Sequence, residues 1–415
     1  MLAAQATQRN TCRLCGSTEL VPILHLTPTP PANAFVTEAQ LSVPQAAFPL
    51  DLHFCARCTH VQLLTVVDPQ VLFGDYVYLS GTSPVFVAHF ERYAKDMARR
   101  LKLARNDLAV DIGSNDGTLL GFLQKAGCRV LGIDPARAIA EAATRAGIET
   151  LTGFFGRPVA ERILREKGQA RLVTANNVFA HIDDPDAVLE GIRLVMAPDG
   201  LFAFEVSYLV DVYEKTLFDT IYHEHLDYHS LAPLIPYLAR NGLEVVDAMR
   251  IDTHGGSIRV IAQHQGGPHT VTRAVGDILA LEASLTFERP ETFVAFGARI
   301  DSLRDQTAEM LSFLRKQGHQ IAGYGAPAKA TTLCHHFGFG RETIDYIVDD
   351  SPMKQGLFTP GLHIPVRSPE EIYRDGPDYL LLLAWNFADS IMTRHERYRA
   401  QGGHFITPLP ALRVD

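Results

Sequence analysis

A chain of 415 residues is longer than one hydrophobic core usually organises, so two or three domains are expected. Hydrophobic residues at 47% and charged ones at 20% are the balance of an ordinary globular protein. A net charge of −9 without long blocks of either sign excludes a general nucleic-acid or membrane-surface binder, whose affinity needs a concentrated basic face.

Residues 1–75 carry Pro, Cys and the short apolar runs LVPILHL, FPLDLHF and THVQLLTVV, which predict a small, loop-rich β module. A domain over 76–268 follows. It opens on a helix (VFVAHFERYAKDMARRLKLA) and alternates: strand DLAVDIG, helix GTLLGFLQKAG, strand RVLGIDP, and a helix over 136–146. Strand ARLVTANNV, a helix over 187–196 and strand GLFAFEVS come next. After an irregular stretch over 208–229 come helix LAPLIPYLARNG and strands LEVVDAMRI and SIRVIAQH. Such alternation predicts a mostly parallel, doubly wound sheet. Residues 269–415 read as a long helical linker and a second α/β unit built on HQIAGYGA, PAKATTLCHHF, TIDYIVDD and PDYLLLLAWN. No apolar run approaches the roughly 20 residues of a membrane span, and MLAAQATQRNTC lacks the features of a secretory signal. The expected setting is therefore cytoplasmic, with the six cysteines reduced or metal-bound.

Cys12–Cys15 and Cys55–Cys58 form two C-x-x-C knuckles. Four thiolates at that spacing can surround Zn²⁺ tetrahedrally, and an all-cysteine set closes the coordination sphere, so structural zinc is expected. A redox pair is the alternative. Cys128 and Cys334 read as ordinary buried cysteines.

Val110-Asp111-Ile112-Gly113-Ser114-Asn115-Asp116-Gly117 joins the first strand of the middle domain to a helix, and Asp134 ends the next strand, where a carboxylate accepts hydrogen bonds from ribose hydroxyls. A dinucleotide loop would want G-x-G-x-x-G; acidic and amide side chains here repel a pyrophosphate and suit an ammonium and a sulfonium instead. The run resembles the first motif of class I S-adenosylmethionine-dependent methyltransferases, and Asn176, Asn177 and His181 fall where that fold places its fourth motif.

Asp219-Thr220-Ile221-Tyr222-His223-Glu224-His225-Leu226-Asp227 is the densest titratable cluster. Histidines two apart diverge on a strand or helix, so shared metal ligation is disfavoured; an imidazole base with its tautomer fixed by a neighbouring carboxylate fits better. Gly323-Tyr324-Gly325-Ala326-Pro327-Ala328-Lys329 makes a second strand-to-helix loop, a candidate diphosphate cradle, with Asp349 at the next strand end and the polar pair Trp385-Asn386 beyond.

Taken together, the two knuckles, D-I-G-S-N-D-G-T, N-N-V-F-A-H-I, Y-H-E-H, H-G-G-S-I-R (254–259) and G-Y-G-A-P-A-K-A resemble the sugar C-3-methyltransferases of deoxysugar biosynthesis over essentially the whole chain. In particular they resemble the branch of D-tetronitrose formation, which acts on a thymidine diphosphate (TDP)-linked 3-amino-4-keto sugar. The resemblance implies an α/β protein of three parts: an N-terminal zinc-binding module, a class I (Rossmann-like) S-adenosylmethionine methyltransferase domain, and a C-terminal Rossmann-like domain helping to bind nucleotide-sugar. It implies His225, Tyr222, Glu224 and His181 as catalytic residues, and Tyr76, Asp111, Gly113, Asn115, Asp134, Asn176 and Asn177 around the donor. His254, Gly255, Gly256, Ser257 and Lys329 are then expected at the substrate, and Cys12, Cys15, Cys55 and Cys58 at zinc. The expected partner is a TDP-linked keto-sugar, with no nucleic acid and no membrane, and the protein is expected to act as a monomer. A nicotinamide-dependent oxidoreductase and a zinc-containing binding protein are the competing readings.

Overall fold

The computed structural model describes residues 5–73, 81, 84–253 and 255–415; Tyr76 and His254 lie outside the described residues. In the first part, β1 (Ala6–Gln8) pairs with β5 (Thr65–Val67), while β2 (Leu20–Thr29), β3 (Phe48–Cys55) and β4 (Val61–Leu63) form an antiparallel sheet. In β3 the apolar Phe48, Leu50, Leu52 and Phe54 alternate inward, the period-two pattern of a half-buried strand.

The middle sheet contains β6 (Leu108–Ile112), β7 (Arg129–Asp134), β8 (Thr150–Thr152), β9 (Ala170–Asn176), β10 (Met196–Ser207), β12 (Leu243–Ile251) and β13 (Ser257–His264). Their order is β12-β13-β10-β9-β6-β7-β8, with β6 to β10 parallel and β13 antiparallel to both neighbours. β6 is buried throughout, as expected for a central parallel strand covered on both faces. Helix Pro84–Leu101 covers one face, burying Phe86, His89, Phe90, Tyr93, Ala94, Met97 and Leu101 at helical spacing. The order reverses between β6 and β9, which opens a crevice at the carboxyl ends of those strands. Two elements were not expected from the sequence: β8 and helix Arg157–Lys167. The strand has three residues, and the helix buries only Ala160 and Ile163, so neither leaves a strong apolar signature.

The stretch 208–229 is more ordered than expected. It holds helix Leu209–Glu214, a turn of 3-10 helix at Phe218–Thr220, and β11 (Asp227–Tyr228), which pairs with β4 of the first sheet. Helix Pro290–Lys316 crosses from the middle part to the last and packs its face of Phe293, Phe296, Ile300 and Leu303 toward the first module, Phe293 lying 6.0 Å from Phe54 between ring centroids.

The last sheet comprises β14 (Ile321–Tyr324), β15 (Ile347–Val348), β16 (Val366–Arg367), β17 (Tyr379–Leu382), β18 (His404–Thr407) and β19 (Arg413–Val414), in the order β16-β15-β14-β17-β18-β19. Only β19 is antiparallel. This is the arrangement of β8-β7-β6-β9-β10-β13 over again. The detail repeats too. Gly113 N donates to Ile133 O, and Gly325 N to Val348 O, both at 2.7 Å. A Cβ at Gly113 would run into Val178, two residues past β9, and one at Gly325 into Ala384, two past β17. One contiguous apolar core runs through all three parts. Among the described residues, no helix is long and apolar enough to cross a membrane.

Candidate active site

The two knuckles repeat one turn. Cys12 N donates to Ser17 O and Cys55 N to His60 O, while Gly16 N returns to Cys12 O and Thr59 N to Cys55 O. The returning residue is left-handed in both, Gly16 at φ 71° and Thr59 at 68°. The sulfurs of Cys12 and Cys58 are 3.6 Å apart, those of Cys15 and Cys55 3.5 Å, and all four lie within 4.8 Å of one another. Zn–S bonds of about 2.3 Å in a tetrahedron imply sulfur–sulfur edges of roughly 3.8 Å, so the cluster fits zinc. Its electrostatics fit as well: the Cys58 sulfur draws the Cys12 thiol down to about 5, while burial raises Cys15 to about 11. Crowded thiols cannot all ionise without a cation.

At the crevice, Gly113 takes φ 68° and leaves no room for a side chain against Val178. Asp134 accepts from Asn115 N at 2.8 Å through one oxygen and from Ala136 N at 2.9 Å through the other, each oxygen keeping a second lone pair. Asp111 is buried and accepts from Thr174 Oγ1 at 2.6 Å; burial pushes its carboxyl up to about 7. Asn177 is left-handed at φ 56°, its N–H donating to Glu205 O at 2.7 Å. Both amide atoms of the Asn176 side chain are buried with no hydrogen-bond partner among the described residues, as is Ser114 Oγ. Orphaned polar atoms beside a glycine cradle are what a bound polar ligand completes, so these residues fit S-adenosylmethionine. Beneath the crevice Glu205 is buried and bonded to His89 Nε2 at 2.8 Å and Arg259 Nε at 2.6 Å, with the guanidinium stacked on Tyr93. Burial alone would raise the Glu205 carboxyl, but His89 and Arg259 more than offset it and hold it low. Arg259, the last residue of the H-G-G-S-I-R run, is therefore internal.

His225 stacks against His181 at 5.1 Å between centroids and lies 4.1 Å from Tyr222; Phe73 stacks on the far side of His181 at 5.5 Å. His225 Nδ1 is 2.7 Å from Thr220 O. A carbonyl only accepts, so Nδ1 carries the hydrogen and the Nε2 lone pair stays available. The tautomer is thus set by a backbone carbonyl rather than by the carboxylate the sequence suggested. Burial depresses the imidazole to about 4, against the pull of Thr220. His223 points elsewhere, to Phe48 O at 3.2 Å, so the two histidines diverge. Glu224 is buried and accepts from Asn33 Nδ2 of the first module at 2.9 Å.

From the other side, Lys329 Nζ lies 3.4 Å from Asp219 Oδ2 and 4.1 Å from the Trp385 ring centroid, and Trp385 Nε1 donates to the same carboxylate at 2.7 Å. Burial lowers Lys329 while Asp219 opposes that shift. The expected diphosphate lysine is thus already paired, and it ties the last domain to the loop that carries His225. Ala326 N of the second glycine loop is likewise taken, by Asp349 Oδ2 at 2.6 Å. Gly255 and Gly256 turn into β13 against Leu217 and Asp211. Ser257, expected at the substrate, is instead wholly buried in this structure, its hydroxyl donating to Thr253 O at 3.1 Å. Sequence reasoning missed Thr220, Asn33, Phe73 and Asp219 as partners, because backbone carbonyls and contacts across domains leave no local pattern.

The strand order and the glycine-and-asparagine crevice define a class I S-adenosylmethionine-dependent methyltransferase. Family models match in three successive segments, a zinc binding domain over residues 12–73, a methyltransferase domain over 87–248 and a C-methyltransferase C-terminal domain over 252–410. The chain is 39% identical over 403 residues to C-methyltransferase NovU from Streptomyces niveus, covering 97% of this chain and 96% of that one. It is 26% identical over 154 residues to a ubiquinone biosynthesis O-methyltransferase from Colwellia psychrerythraea, covering 34% of this chain and 63% of that one. A solved S-adenosylmethionine-dependent methyltransferase from Clostridium acetobutylicum aligns with TM-score 0.36 and 12% identity, over 43% of this chain and 92% of its own. The chain belongs to the C-methyltransferase family: it is an S-adenosylmethionine-dependent enzyme with an N-terminal zinc site. The oxidoreductase and non-enzymatic readings fall away.

Proposed function

We propose that the enzyme methylates C-3 of a TDP-linked 4-keto-deoxysugar, a 3-amino-2,3,6-trideoxy-4-keto-hexose, with His225 as the base. The observation that carries this reading is the His225 Nδ1–Thr220 O bond, which leaves Nε2 as the acceptor of a ring stacked on His181, five residues past the end of β9. The C-4 ketone acidifies the hydrogen on C-3. Nε2 of His225 takes that proton, and the electron pair left behind delocalises into the ketone as an enolate. S-adenosylmethionine supplies an electrophilic methyl group; the C-3 pair forms the new carbon–carbon bond as the sulfur–methyl bond breaks. Tyr222 and His181, both against the His225 ring, are candidates to donate a hydrogen bond to the enolate oxygen. Glu224 anchors the same loop through Asn33. Asp111, Gly113, Asn115, Asp134, Asn176, Asn177 and Tyr76 are proposed to hold the donor, with Asp134 receiving ribose hydroxyls on its remaining lone pairs. His254, Gly255 and Gly256 are proposed beside the sugar, and the last domain to hold the nucleotide, with Lys329 acting through Asp219. Zinc stabilises the first module and takes no part in the chemistry.

His225→Asn tests the base. The amide can keep the bond to Thr220 O yet offers no basic lone pair, so methyl transfer should fall roughly 10²- to 10⁴-fold with donor affinity unchanged. The assay is mass spectrometry of a TDP-linked 4-keto-6-deoxy sugar incubated with enzyme and donor, looking for one added methylene. Turnover near the wild-type rate removes His225 from the role. If the wild-type enzyme binds donor but leaves the sugar unmethylated, the substrate assignment is wrong.

A further inference from the structure

We infer that Arg13, lodged between two zinc-ligating cysteines, is the positioning residue that fixes the His181 and His225 rings against each other. Its side chain is fully buried. Nε donates to Asp183 Oδ1 at 3.0 Å. Nη1 donates to Gln62 Oε1 at 3.1 Å, Leu63 O at 2.5 Å and Leu226 O at 3.4 Å, and lies 3.8 Å from Asp227 Oδ1. Asp183 is two residues past His181, and Leu226 and Asp227 are one and two past His225. One guanidinium therefore grips both segments that deliver the stacked imidazoles. The segments also touch directly, Leu226 N donating to Ala180 O at 2.8 Å, and His60, two residues past the last ligating cysteine, holds Asp227 Oδ1 at 2.7 Å.

The choice of arginine has a physical reason. Its planar fork offers donors in fixed directions, so it sets the separation of two acceptors where a lysine would swivel. A buried charge is tolerated only when paired, which makes the Asp183 and Asp227 contacts obligatory. The knuckle turn fixes the Cα from which the fork projects. Misplacing a catalytic group by about 1 Å costs on the order of 10²-fold in rate, so a small rotation of either segment matters.

The test is Arg13→Gln in the full chain, with zinc content, donor affinity, steady-state kinetics and NMR of ring-labelled histidine. The expected result is retained zinc and unchanged donor affinity, with kcat down roughly 10²-fold, KM little changed, and the His181 and His225 ring resonances displaced. Wild-type kcat and unmoved resonances with zinc retained overturn the inference. Should the variant lose its zinc, Asp183→Asn carries the same test from outside the knuckle: the resonances move and kcat falls, or the inference is wrong. The kinetic arm rests on His225 being the base. If His225→Asn methylates normally that assignment fails, while displacement of the ring resonances still decides whether Arg13 positions them.

Discussion

His229 sits four residues past His225, 1% exposed, its ring 5.4 Å from that of His60 and 5.7 Å from that of Phe179. Neither ring nitrogen has a hydrogen-bond partner among the described residues, and burial drives its pKa from 6.5 to about 3. The unfolded chain therefore takes up a proton near pH 6.5 that the folded one refuses until about pH 3. The neutral ring contributes its full stability above pH 6.5, and that contribution is lost as the pH falls through the window below. Each pH unit inside the window is worth about 1.4 kcal/mol, so acidification from pH 8 to pH 5 removes about 2 kcal/mol. His229→Phe keeps an aromatic ring in the stack and abolishes the titration. Urea unfolding of both proteins at pH 8 and pH 5 gives four stabilities. The variant should gain about 2 kcal/mol on wild type between the two pH values. Other groups titrate as well: Asp111, raised to about 7, works in the opposite direction, because protonating it favours the fold. It is common to both proteins and cancels in the difference. Equal pH slopes would mean that the His229 imidazole gains its proton as readily folded as unfolded, which refutes the burial argument.

Gly113→Ala forces a Cβ into Val178 at a left-handed backbone position, so it should destabilise by about 2–4 kcal/mol and sharply weaken donor binding by calorimetry. Adding Val178→Ala should recover the steric share but not the backbone share; full recovery, or none, contradicts that division. Stripping zinc with a chelator should abolish methyl transfer while the middle sheet still binds donor, since both knuckles anchor the loop that carries His225 through Arg13 and His60. Undiminished transfer by the zinc-free protein would show that the module's grip is dispensable.

The turns and strand ends of the proposed donor crevice were legible in the sequence because they are built locally. Gly113 turns, Asp134 ends the next strand, and Asn176 ends the strand across the switch point, each following from a strand-to-helix pattern of a few residues. The knuckles were legible for the same reason. The loop that carries His225 was visible only as a cluster of polar residues. What fixes His225 is the carbonyl of Thr220, which any residue type supplies, and what anchors Glu224 is Asn33, 191 positions away. Ser257 illustrates the converse. The family resemblance implied substrate contact for Ser257, but β13 turns it inward toward Thr253. The same strand turns Arg259 toward Glu205.

A loop that buries Asp219, His223, Glu224 and Asp227 is costly, because each polar group loses water and needs a partner. The partners come from every part of the chain. Trp385 and Lys329 of the last domain take Asp219, and Thr332 Oγ1 donates to Ile221 O at 2.8 Å. Phe48 O receives His223, Asn33 binds Glu224, and His60 with Arg13 takes Asp227, all from the first module. A module of some 70 residues has too little core to hold such groups rigidly on its own. Four cysteines around one ion supply that rigidity at the turns from which Arg13 and His60 project. On this argument the zinc site and the last domain are two sides of one vice. The middle domain contributes the proposed donor crevice, and holding the loop that carries His225 requires the other two.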